Sequence, residues 1–305
     1  MEEKITNLKE LLSIVESQQG VISDSLEILP VNHDLLTSSK SDLTFISLEP
    51  VRILVYGNIA CGKSQLINAI HGCKLATSRH SSIFSPRIAE YKSGTDDQII
   101  LYPTRGLLNN VTTPFQIQLD EIKTYLSIYD KDGSIKKESP FERLELYSTR
   151  CKVGLNLIDL TLEDMSELFS LIDKENLSKI DTVIYCMRAD NAYTAIDKNN
   201  IEMLRSLGYK SIVFVLTFWN TLLFNDEIIG TDDAQRAKEW LLKILAPLTD
   251  LGENGIFFVD SLVAIEGKIN QDLDVIEKSG ILQLDRHINN LIIQKQETII
   301  SKLQL

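Results

Sequence analysis

An α/β fold, with a mostly parallel central sheet between two helical layers, is what this sequence predicts, and three observations carry the prediction. Apolar, buried-looking strands at residues 181–187 and 211–217 alternate with stretches of helical period at residues 195–208 and 235–248. Strands joined through helices need crossover connections, which make neighbouring strands parallel and cover both faces of the sheet. A third strand, residues 51–57, runs straight into a glycine-rich turn and then into an apolar helix. Over 305 residues, a hydrophobic content of 44% supplies enough core for one large domain or two small ones.

The turn carries the chemistry. Gly57-x-x-x-x-Gly62-Lys63-Ser64 sits between its strand and its helix, so it reads as a complete phosphate-binding loop, and the predicted architecture becomes the P-loop NTPase three-layer sandwich. Gly57, Asn58, Ile59, Ala60, Cys61, Gly62, Lys63, Ser64 and Gln65 would wrap a polyphosphate with backbone N–H groups. Gly62 lets the main chain pass close to it, and the helix start adds the positive end of its dipole. Lys63 would bridge the terminal phosphates as a point charge, and the Ser64 hydroxyl would take one Mg²⁺ position.

Taken in order, residues 4–18 place Ile5, Leu8, Leu11, Leu12 and Val15 on one helical face, and residues 19–48 lose the period and read as a connector. The nucleotide domain begins near Glu49. Residues 74–94 are polar and turn-rich, and within them Ser85 is either a hydroxyl that reaches Mg²⁺ or an ordinary solvated serine. Residues 98–102 read as a strand, 119–130 as a helix and 143–148 as a half-exposed strand. The buried strand at residues 153–159 ends in Asp159, which is either the acid that holds Mg²⁺ beside the loop or a helix cap. A last strand covers residues 255–261. From Ile281 to Leu303 an apolar stripe forms a long helix whose simplest partner is the first one, giving a small helical neck from the two chain ends. The domain plan is therefore 1–48, 49–280 and 281–305.

A formal charge of −12 argues against a nucleic-acid surface and against direct membrane binding, since both need clustered Lys and Arg. No apolar run approaches a membrane span, and residues 1–10 lack the pattern of a signal peptide. Cys61, Cys73, Cys151 and Cys186 form no C-x-x-C pair and read as buried thiols in a reducing cytoplasm; the four histidines show no ligand spacing.

Four stretches in this order, residues 57–72, 140–164, 181–208 and 257–292, resemble the GTPase domain of the dynamin superfamily, most closely its bacterial dynamin-like and mitofusin branch. The resemblance covers about residues 50 to 293. It implies GTP and GDP as ligands, Mg²⁺ held by Ser64, Ser85 and Asp159, and Lys63 and Ser64 as the catalytic pair. It puts base recognition on Thr217-Phe218-Trp219-Asn220 and a backbone approach to the base at Asp260-Ser261-Leu262. It also implies a homodimer across the nucleotide face, through the loops near residues 85 and 188–194.

Several positions depart from that pattern. Asp159-Leu160-Thr161-Leu162 lacks the switch glycine, Phe218 replaces a lysine that packs along the loop, and Asn220 replaces the carboxylate that accepts two hydrogen bonds from guanine. Phe218 or Trp219 would either stack on the base or be a core aromatic. Ile59 and Ala60 stand where a polar residue organises the attacking water, and Arg79 or Arg87 is the candidate for stabilising transition-state charge. The expected activity is slow GTP hydrolysis. The alternatives are a pseudo-GTPase scaffold acting through protein partners, and a P-loop phosphotransferase, for which no arginine-rich lid is visible. The lengths of residues 1–48 and 294–305 are too short for the stalk and membrane tip of remodelling dynamins.

Overall fold

The structure, a computed structural model, describes residues 49–76, 87–104, 113–118, 141–160, 180–229 and 232–303. Among them nine strands form one sheet: β1 (Val51–Gly57), β2 (Ile88–Ser93), β3 (Gln98–Pro103), β4 (Phe115–Gln118), β5 (Phe141–Ser148), β6 (Leu155–Leu160), β7 (Thr182–Arg188), β8 (Ile212–Thr217) and β9 (Ile256–Val259). Their spatial order is β4-β3-β5-β2-β6-β1-β7-β8-β9. The helices are α1 (Lys63–His71), α2 (Ala195–Ser206), α3 (Trp219–Ile229), α4 (Asp233–Leu245), α5 (Ser261–Asn270), α6 (Leu273–Lys278) and α7 (Ile281–Leu303).

The expected parallel sheet is realised in one half. β1 pairs with β7, β7 with β8 and β8 with β9, all parallel. The other half is mixed: β2 runs parallel to β5 but antiparallel to β6, and β3 is antiparallel to both β4 and β5. Antiparallel neighbours such as β3 and β4 need no crossover helix between them.

Every residue of β8, and β7 as far as Met187, is buried, as a strand covered on both faces requires. Leu54, Tyr56, Val183, Tyr185, Met187, Phe214 and Leu216 share one apolar cluster with Ile201 and Leu204 of α2 and Leu241 and Leu245 of α4. Their alternating neighbours Ile53, Val55, Ile184, Val213 and Val215 point to the opposite face and are equally buried. On that side α1 packs against α5 and touches β6.

Arg52–Leu282 forms one compact unit, and the described residues 49–51 and 283–303 belong to a second. In the second, Lys295 donates to the carbonyl of Pro50 at 2.9 Å and the Gln296 amide to that of Glu49 at 3.3 Å. The expected helices at residues 4–18 and 119–130 lie outside the described residues.

One half-buried histidine ties stability to pH. Helix α1 ends at Gly72, in the left-handed region at φ 72°, while Lys268 donates to the terminal carbonyl of Ala69 at 2.7 Å. Beside it, His71 Nδ1 accepts from the Lys152 backbone N–H at 3.1 Å, a contact that needs the neutral ring. Burial first, then Lys152 and Lys268, push this histidine down to about 3. The unfolded ring, near its ordinary 6.5, takes up a proton that the fold refuses, so stability is complete above that value and falls with pH below it. The loss approaches about 1.4 kcal/mol per pH unit. Denaturant midpoints measured from pH 7.5 down to 5 should fall in the wild type and flatten in His71→Gln. Equal slopes in the two proteins would remove His71 as the cause.

Candidate nucleotide-binding site

Strand β1 stops at Gly57 and helix α1 starts at Lys63, and the chain between them turns through Ala60 (φ 60°) and Gly62 (φ 90°). At Gly57, with φ 149°, a Cβ would lie 2.2 Å from the Cys186 carbonyl oxygen, so only glycine fits against β7 there. The loop is anchored at Cys61. Its N–H donates to the Asn58 carbonyl at 3.3 Å, and its carbonyl accepts from the buried Thr217 hydroxyl at 2.6 Å, at the end of β8.

Lys63 Nζ donates to the carbonyls of Gly57 at 2.8 Å and Asn58 at 3.0 Å, which holds the ammonium along the loop. One residue on, the Ser64 hydroxyl donates to Asp159 Oδ2 at 3.3 Å. Asp159 is buried, and it is the penultimate residue of β6 where the sequence placed a strand end. A hydroxyl and a carboxylate in contact form the hard, all-oxygen donor set that suits Mg²⁺, an ion that keeps most of its shell for water and phosphate. The donors fit that ion, although the described residues contain no cluster of three His, Cys, Asp or Glu able to hold a metal unaided.

Asn58 turns its side chain away from the loop interior. Its amide donates to Asp197 Oδ1 at 2.8 Å and its own oxygen accepts from Asn200 at 3.5 Å. Asp197 also accepts from the Tyr185 hydroxyl at 3.0 Å and, through its other oxygen, from the N–H and hydroxyl of Thr194, both at 2.8 Å. Thr194 and Asp197 are the capping box of α2, so a partly buried polar network roots the Gly57–Ser64 loop in that helix start. Sequence reasoning missed this connection; Thr194-x-x-Asp197 was its visible signal. Ile59 is 52% exposed and Ala60 is exposed, and neither carries a polar side chain; Gln65 lies half-buried in the first turn of α1.

Just past the end of β8, Phe218 adopts φ 58°, a conformation that a bulky residue rarely takes. Its ring lies on the loop: a Cβ at Gly62 would be 3.2 Å from Phe218 Cε2. The Arg188 guanidinium sits over the ring at 4.5 Å, held by Asp190 through bonds of 2.9 and 2.7 Å. Trp219 instead meets Phe258 at a tilt of 59°, ring centroids 4.5 Å apart, and packs against the core, so of the two aromatics left open by the sequence Phe218 is the one seen against the loop. Asn220 is half-buried in the first turn of α3. Ser261 opens α5, buried and with no partner for its hydroxyl among the described residues, while Asp260 caps the helix by accepting from Leu262 and Val263. Arg87 is exposed just before β2, and Ser85 and Arg79 lie outside the described residues. Arg188 and Asp190 are further residues of this face that sequence reasoning did not single out.

The chain spans 58% of the length of the curated relative it matches, "Uncharacterized protein in xynA 3'region" of Caldicellulosiruptor sp. (strain Rt8B.4), at 19% identity over 270 residues and 81% of this chain. No family model matches. Among solved structures the chain is similar to two of an oligomerised bacterial dynamin pair, described as a mechanism for the long-range sensing and tethering of membranes. Each is 13% identical, with TM-scores of 0.54 and 0.56, over 99% of this chain and 46% of the other. The fold is therefore shared with part of these bacterial dynamin structures. No helix among the described residues is long and apolar enough to cross a membrane.

Proposed function

We propose that this chain is a dynamin-like GTP-binding protein that takes GTP with Mg²⁺ in the Gly57–Ser64 loop and hydrolyses it slowly to GDP and phosphate. The observation that carries the proposal is the contact of Ser64 with Asp159 at 3.3 Å, one residue from the Lys63 ammonium at the mouth of a loop of main-chain amides. A cation pocket and a phosphate cradle side by side are what a nucleoside triphosphate with its metal requires. Ser64 and Asp159, with Ser85 from the following segment, are the residues that would hold Mg²⁺, which when bound neutralises charge on the β- and γ-phosphates. Loop amides and Lys63 bind and orient the phosphates. Ile59 and Ala60 offer the attacking water no hydrogen bond, which is the reason for slow turnover.

The base would lie beside Phe218, with Asn220 and the backbone at Ser261 along its edge. The working unit is a G domain over residues 49–280 with a helical neck from the chain ends, in the cytoplasm, pairing across the nucleotide face through the loops near residues 85 and 188–194. Asn220→Asp should raise the preference for guanine over xanthine nucleotides by about tenfold or more, because a carboxylate accepts both guanine donors where an amide opposes one of its own donors to them. Competition binding of GTP against XTP measures it, and an unchanged ratio would show that Asn220 does not read the base.

A pseudo-GTPase scaffold is the second reading, favoured by the missing switch glycine after Asp159 and by Phe218 and Asn220 in place of the loop-packing lysine and the base-reading carboxylate. Calorimetric titration with GTP, ATP and XTP, followed by phosphate release, separates the two. Submillimolar GTP binding with measurable release supports the enzyme; absence of release with bound GTP supports the scaffold.

A further inference from the structure

We infer that Cys61 and Cys186 form a dithiol beneath the phosphate loop that a peroxide oxidises to a disulfide, switching nucleotide binding off. Both are free thiols in this structure. Cys186 is the register partner of Gly57 in the β1–β7 ladder, and a Cβ on Gly57 would lie 2.9 Å from Cys61 Sγ as well as against the Cys186 carbonyl. The missing side chain at residue 57 thus leaves room for the Cys61 sulfur beside the Cys186 backbone, and the two cysteines are side-chain hydrogen-bond partners. Lys63 Nζ donates to the same Cys61 sulfur at 3.9 Å.

The pair is asymmetric in the way a nucleophile and its resolving partner need. The hydrogen bond from Cys186 holds the Cys61 thiol below its ordinary range in spite of burial, and Lys63 adds to the effect. Burial pushes Cys186 well up, so it stays protonated. Cys73 and Cys151 are both raised by burial, the latter to about 12, and serve as an internal comparison. Cys61 is itself only 3% exposed, but Ile59 and Ala60 beside it are open to solvent, and a peroxide is little larger than water.

The chemistry balances with hydrogen peroxide as the oxidant. The Cys61 thiolate attacks one peroxide oxygen, forming an S–O bond while the O–O bond breaks and hydroxide leaves, taking a proton to become water. The sulfur of Cys186 then attacks the sulfenic sulfur, its proton passing to the departing hydroxyl, so that S–S forms, S–O breaks and a second water leaves. Two electrons pass from the two thiols to the peroxide. Cys61 also carries the loop's anchoring bonds to Asn58 and Thr217, and it precedes Gly62 and Lys63. Drawing its sulfur onto β7 moves the amides out of register and removes an acceptor of the Lys63 ammonium.

The consequence for binding rests on the nucleotide reading above; the cross-link does not. The full chain is treated with hydrogen peroxide, mapped by peptide mass for a Cys61–Cys186 link lacking two hydrogens, and titrated with GTP and Mg²⁺ before and after. Expected are the link in wild type and its absence in Cys61→Ser and in Cys186→Ala, where Cys61 proceeds to the sulfinic acid. GTP affinity should fall about tenfold or more in the oxidised wild type and return with dithiothreitol. Cys61 remaining reduced, or a link formed with unchanged GTP affinity, overturns the inference. Were the reduced protein to bind no GTP at all, the nucleotide reading would fail while the mapped link still decided whether the dithiol exists.

Discussion

Lys63→Ala should weaken GTP binding by about 100-fold or more, equivalent to roughly 3 kcal/mol. The ammonium lies along the loop, 2.8 and 3.0 Å from the carbonyls of Gly57 and Asn58, so it is already held where phosphate oxygens would enter. Charge-assisted hydrogen bonds are the strong ones, and their loss from a triphosphate site leaves several negative charges uncompensated. The fold should survive, because the loop is also secured by Thr217 to Cys61 and by Asn58 to Asp197, neither of which involves the lysine. Titration of the variant, with thermal unfolding as the control on folding, measures both. Binding at wild-type affinity by a folded Lys63→Ala protein would take the loop out of the functional account.

Gly57→Ala should be strongly destabilising, costing about 3 kcal/mol or more. The new Cβ would be 2.2 Å from the Cys186 carbonyl, a backbone atom within the β1–β7 ladder that has no rotamer by which to move aside. Gly208→Ala separates this clash from the cost of backbone conformation alone: Gly208 has φ 95° with nothing within 4 Å of its added Cβ, and should lose only about 1 kcal/mol. Thermal unfolding should show a drop of roughly 6–12 °C for the first substitution against a few degrees for the second. Equal drops would mean that β7 yields and that the loop's seat is softer than its geometry implies.

The parts of the fold that announced themselves were those in which one physical signal acts alone. β7 and β8 are buried on both faces and so read as unbroken apolar runs, and the loop between β1 and α1 carries the glycine-lysine-serine spacing of a phosphate-binding loop. β4 escaped notice because four residues, Phe115–Gln118, are too few to establish a period of two. Helix α3 escaped because its apolar residues do not fall on one face: Leu223 and Phe224 are exposed while Leu222 and Trp219 pack on the core. The mixed half of the sheet was invisible for a different reason, since strand direction is set by connections that hydropathy does not record.

Within the site, Ser64 and Asp159 are 95 residues apart in sequence and in contact in space, and the loop motif together with a buried strand was enough to pair them. Arg188 over Phe218 was not legible. The partnership depends on the left-handed turn at Phe218, which carries no compositional mark, and on the two bonds from Asp190 that hold the guanidinium in place. Asn58 shows the reverse case. Only its backbone N–H was expected to serve the loop, and its side chain turns out to be committed to a helix.

That commitment fastens the turn after β1 to the start of α2 through a single carboxylate, Asp197. Should a ligand in the turn displace Asn58, linkage would require a partner on residues 189–194 and that ligand to alter one another's affinity by the same factor.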